Sequence, residues 1–81
     1  MASEFFDGRP VEVIDFSDAI SGERVIEFRD PDSWGSDSFI AISVPDGGSW
    51  IDAVVSVNPR IGDIPVGLML WGLETAKARF L

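Results

Sequence analysis

Ten carboxylates crowd residues 1–37 of this chain: Glu4, Asp7, Glu12, Asp15, Asp18, Glu23, Glu27, Asp30, Asp32 and Asp37. Side chains of this kind can share acid–base catalysis, surround a cation, or form a field that attracts a basic partner. Most catalytic uses need companions that the chain lacks. It has no His, Cys or Tyr, and its single lysine is Lys77. Ser-His-Asp and Cys-His nucleophile systems, His- or thiolate-bound zinc and disulfides are therefore excluded, and a lysine Schiff base has little scope. Carboxylates alone can hydrolyse glycosides, but that chemistry also needs a sugar-sized cleft. A chain of 81 residues seldom builds both a core and such a cleft. The expectation is a protein that is no enzyme and uses no cofactor or metal.

Two short motifs invite more specific readings. Asp30-Pro31-Asp32-Ser33-Trp34-Gly35 places Asp, Asp and Gly at positions one, three and six of an EF-hand calcium loop. Trp34 then falls at position five, where an oxygen ligand belongs, and Ala41 at position twelve, where a bidentate Glu belongs. An Asx-rich turn is the better reading. Gly47-Gly48 lacks the following Lys and helix start of a phosphate-binding loop and reads as a hairpin turn.

The carboxylates are unevenly placed. Residues 1–37 set ten against Arg9, Arg24 and Arg29, a net −7 of the −8 carried by the whole chain. Residues 38–81 balance four acids against Arg60, Lys77 and Arg79, and are much more apolar. Six scattered cations form no phosphate-binding patch, so neither nucleic acid nor an anionic membrane is expected as a direct ligand. The expected partner is a basic protein, reached through Glu12, Asp15, Glu23, Glu27, Asp30 and Asp32, with Trp34 and Trp50 as aromatic anchors. The alternatives are that the acids only keep the domain soluble, and that the N-terminal segment covers Trp50.

Elements must hold these residues in place. With 46% hydrophobic residues, six Phe and three Trp, the chain has the composition of a folded domain rather than a disordered acidic tail. Residues 1–10 read as a leader ending in a turn, with Phe5 and Phe6 free to tuck onto the core. Alternation predicts strands over Val11–Phe16, Arg24–Arg29, Phe39–Val44 and Trp50–Val57. Pro45-Asp46-Gly47-Gly48 joins the last two as a hairpin. In the fourth strand Ile51, Ala53, Val55 and Val57 should face the core, and Trp50 the other side. Asp63 is a candidate N-cap, with Pro65 in the first turn of a helix reaching Leu81. Met69, Leu73, Ala76 and Phe80 form its apolar stripe. Gly67 and Gly72 weaken a helix by about 1 kcal/mol each relative to Ala, so a strand over Val66–Trp71 is the competing reading.

The fold class expected is α+β in a single domain. Residues 11–57 form a four-stranded antiparallel sheet of two hairpins, and residues 63–81 a C-terminal helix packed on one face. The longest apolar stretch, Ile64–Leu73, is interrupted by Pro65, Gly67 and Gly72 and is too short to span a bilayer. Met1-Ala2-Ser3-Glu4 lacks the basic start and apolar core of a signal peptide, and an absence of cysteine suits the cytoplasm.

The function expected is a small acidic inhibitor or adaptor, of the immunity-protein, antitoxin or phage anti-defence type. It would occlude a basic, nucleic-acid-binding surface of its partner. The alternative is a structural or assembly subunit forming a homodimer through residues 66–81. Leu68, Leu70, Trp71 and Phe80 would make that seam, because one sheet face cannot cover every apolar side of such a helix.

Overall fold

The structure, a computed structural model, describes residues 2–31 and 38–81, and for Ala2 and Ser3 the backbone only. Five strands, β1 (Ala2–Phe6), β2 (Arg9–Ser17), β3 (Arg24–Arg29), β4 (Ile40–Val44) and β5 (Val54–Val57), form one antiparallel sheet in sequence order. Among the described residues one α-helix, α1 (Val66–Phe80), packs across one face. The class is α+β, with five strands where the sequence pattern predicts four.

The additional strand is β1, within the segment expected to be a leader. Asp7 and Gly8 both take positive φ, at 51° and 75°. They join Phe6 to its partner Arg9 as a two-residue turn, whose twist suits a hairpin. Pro10 does not break β2, because its missing N–H falls on the side facing β3, beyond Arg29, where that ladder has ended. Of the two phenylalanines, Phe6 packs against Trp71 with ring centroids 5.7 Å apart, while Phe5 stays exposed.

Alternation on β2, β3 and β4 sets the core. Val11, Val13, Ile26, Phe28, Ile40 and Ile42 point toward α1 and are buried. Phe28 is fully enclosed, with Trp71 edge-on to its ring at 5.6 Å and Phe39 at 6.5 Å. The helix comes close because its contact positions are Gly72 and Ala76. A Cβ at Gly72 would stand 2.7 Å from Ile40 Cδ1. The glycine that weakens the helix in isolation is thus where it meets the sheet. Met69, Leu73 and Phe80 flank this contact, half-buried.

Two boundaries differ from the sequence expectation. Asp63 does not cap α1; Pro65 precedes the first helical residue, Val66, and no side chain caps that end. The predicted strand from Trp50 splits. Trp50–Asp52 forms a 3-10 turn, because the Asp52 carboxylate accepts a hydrogen bond from the Ser49 backbone N–H at 2.9 Å and pulls the chain out of strand geometry. Only Val54–Val57 extends the sheet.

The β2–β3 and β4–β5 connections meet at one end of the sheet. Gly22, with φ 76°, leaves room for Asp46, and a Cβ there would lie 2.7 Å from Asp46 Cγ. Substituting Gly22 with Ala combines left-handed strain with this clash, so a loss of about 1–2 kcal/mol is expected. A lowered urea midpoint with unchanged slope would show it; an unchanged midpoint would mean that the two turns are not pressed together.

Candidate functional site

The sheet separates the carboxylates that the sequence groups together. Glu12 and Glu27 project from the face opposite α1, whereas Asp15 projects from the helix-bearing face, opposite Ile26 in the register. Several are engaged within the chain. Glu12 lies 2.7 Å from Arg29, its direct cross-strand partner, and Asp15 lies 2.7 Å from Arg24. Asp30 lies 3.1 Å from Arg9, and Glu4 lies 3.1 Å from Arg79. Glu27 accepts the Ser38 hydroxyl at 2.7 Å. Asp32 and Trp34, along with most of the calcium-like motif, lie outside the described residues. Among the described residues no three carboxylates are placed to hold a metal ion.

Arg24 does more than pair with Asp15. From the start of β3 it donates to the Arg79 carbonyl at 2.9 Å and, at 3.4 Å, to that of Phe80. Its guanidinium also lies 5.6 Å from the centre of the Phe80 ring. It therefore caps the C-terminus of α1, where helix carbonyls lack internal partners and the dipole is negative. The two hydrogen bonds from Arg24 hold the Asp15 carboxyl below its ordinary pKa, and Asp15 raises that of Arg24 in return.

Acid without an arginine partner gathers elsewhere, at the end of the sheet where the two turns meet. Asp18, Glu23, Asp46 and Asp52 lie there and make no ion pair among the described residues. Asp18 shapes its own turn, accepting the backbone N–H groups of Ile20 at 2.8 Å and Ser21 at 3.0 Å. Those donors, Ser21 first, lower its pKa, so the carboxylate stays charged in mild acid. The same two connections carry two isoleucines almost wholly in solvent, Ile20 at 99% exposure and Ile51 at 89%. Neither was expected as a site residue. Ile51 was placed on the core face, and it leaves that face because the 3-10 turn breaks the strand alternation.

The aromatic and helical candidates are placed differently. Trp50 is half-buried, packed on the core and 6.4 Å from the Phe80 ring. Leu68 and Trp71 turn toward the chain's own core, and Phe80 lies between Trp50 and Arg24. Leu70 stays at the surface, 56% exposed. Among the described residues no helix is long and apolar enough to cross a membrane.

At the opposite end, a hollow of about 240 Å³ opens between Phe6, Pro10, Phe39, Ile64 and Leu68, with the Arg9–Asp30 pair at its edge. No protein-family model, curated protein or solved structure matches this chain.

Proposed function

We propose that this protein is a small acidic inhibitor or adaptor, acting in the cytoplasm by stoichiometric binding to a basic protein. It would occlude a surface with which that partner binds nucleic acid, in the manner of an immunity protein, antitoxin or phage anti-defence protein. The turn end supports this reading most directly. Arg9, Arg24, Arg29 and Arg79 are each held by a carboxylate of their own chain, while Asp18, Glu23, Asp46 and Asp52 lie in the same two connections as the exposed Ile20 and Ile51. Charge of one sign together with exposed apolar anchors suits protein recognition: the charges speed encounter and fix orientation, and the anchors add affinity. The wider set of Glu12, Glu27 and Asp30 contributes to the anionic field, though its members are already engaged.

Capture from host-cell lysate under a salt gradient tests the proposal. The baits are the wild type, a charge variant (Glu23→Gln with Asp46→Asn) and an anchor variant (Ile20→Ala with Ile51→Ala). These side chains are exposed or half-exposed, so both variants should keep wild-type stability within about 0.5 kcal/mol per substitution. The proposal expects a basic protein that moderate salt releases. Retention should fall about tenfold or more in each variant, the usual consequence of losing 1–2 kcal/mol at an interface. A basic protein held equally by all three baits would move the site away from the turn end. Recovery of no basic protein would remove the proposal.

A further inference from the structure

The edge strand β5, four residues long, carries neither charge nor proline against pairing. Val54, Val55, Ser56 and Val57 are all exposed, and α1 does not cover them. The strand's free hydrogen-bonding groups can be assigned. The Asn58 N–H donates to Phe39 O on the β4 side at 3.1 Å. Because antiparallel strands alternate, Ser56 and Val54 also bond toward β4, leaving the N–H and C=O groups of Val55 and Val57 directed outward. The side chains of Val55 and Val57 share the helix-bearing face with Ile42 and Ile40. They stand 42% and 43% exposed.

Beside them runs a groove of about 240 Å³, lined by Ile42, Trp50, Ala53, Val55 and Leu73. The 3.6-residue period places Val66 and Leu70 on the same flank of α1 as Leu73. Both are well exposed, at 74% and 56%. Leu73 belongs both to this groove and to that flank, which is apolar from Val66 to Leu73 and ends at the exposed Lys77.

We infer that β5 pairs antiparallel with β5 of a second copy, joining two sheets of five strands into one across a two-fold axis at Ser56. This register sets Val55 opposite Val57 of the other copy, twice, so that every outward backbone group of both residues is used. It stacks valine on valine along the helix-bearing face and brings the exposed flanks of the two helices toward each other.

Charge selects a second copy over the basic partner proposed above. Ala53–Asn58 carries no charged side chain, so a basic strand would find nothing to pair with and a second copy meets no like charge. Antiparallel docking also brings the Asp52 end of each strand to the Arg60 end of the other. The inference does not depend on the turn-end reading, with which it shares only Asp52.

Sedimentation velocity over a wide concentration series tests it on the wild type and three variants. Val55→Pro removes one outward donor and leaves the β4 ladder intact. Val57→Lys places a charge at the seam. Leu70→Lys alters only the exposed helix flank. The wild type is expected to rise from the 8.8 kDa of one chain to twice that mass. Added salt should strengthen this association by screening two chains of net −8, opposite to its effect on a basic partner. Val55→Pro and Val57→Lys should each raise the dimer dissociation constant at least tenfold while keeping the wild-type circular dichroism. The effect of Leu70→Lys should be smaller. A wild type that stays at 8.8 kDa throughout overturns the inference. So does a dimer that survives both β5 variants and is lost only with Leu70→Lys, which would move the seam to the helix.

Discussion

Phe28→Ala is expected to cost about 3–5 kcal/mol and to leave the domain close to unfolded at 37 °C. The side chain is fully enclosed, and the rings of Trp71 and Phe39 meet it from the helix and from the residue before β4. Removing it opens a cavity that neither ring can fill without leaving the other, so the site cannot collapse to recover the contacts. A domain of this length has a total stability of roughly 4–12 kcal/mol, so the loss is a large fraction of it. Urea unfolding followed by tryptophan fluorescence would measure it directly. Phe28→Leu, which preserves most of the volume, should lose much less. A cost below about 1 kcal/mol for the alanine variant would mean that the helix and sheet are not packed around this residue.

Arg24→Met should be the second largest loss, about 2 kcal/mol, since the guanidinium makes charged hydrogen bonds to Asp15 and to the last carbonyls of α1 while remaining partly exposed. It should also change the dependence of stability on pH. The native pKa of Asp15 is lowered, so its contribution is fully present above the unfolded-state value of about 3.9 and is lost as pH falls through the native one. In the methionine variant that acid loss should be shallower, because Asp15 no longer gains a partner on folding. Arg24→Lys should recover only part of the difference, since an ammonium cannot fork between a carboxylate and a helix terminus. Equal acid sensitivity in wild type and Arg24→Met would show that the pair contributes nothing to folding.

What could be read from the sequence followed the reach of each signal. Period-two alternation turns Ile26 and Phe28 inward and sets Ile40, Ile42 and Val44 on one face, and these residues are buried; over Val11–Phe16 it leaves both faces open, and the structure buries Val11 and Val13. Such patterns are local and depend only on neighbours two residues apart. Strand β1 was missed because Pro10 discourages a strand, although Asp7-Gly8 is itself a hairpin signal. The 3-10 turn at Trp50 was hidden by an apolar-polar alternation that Ser49 and Asp52 override through one local hydrogen bond.

The candidate site was less legible, because it depends on contacts between distant parts of the chain. The carboxylate excess was countable, but the partners Arg29, Arg24 and Arg9 come to Glu12, Asp15 and Asp30 only through strand register and loop placement. Arg24 reaches Arg79 across 55 positions, a contact that charge counting cannot reveal. Ile20 and Ile51 resemble core residues by type and become surface residues only once their turns are formed.

The central claim is occlusion, and competition tests it most directly. The basic protein recovered by capture would be loaded with labelled nucleic acid and titrated with the acidic protein at low and physiological salt. The account predicts that nucleic acid is displaced at one equivalent, that higher salt weakens the displacement, and that Glu23→Gln with Asp46→Asn shifts it to higher concentration. Nucleic acid that stays bound while the acidic protein saturates the same partner would contradict the account.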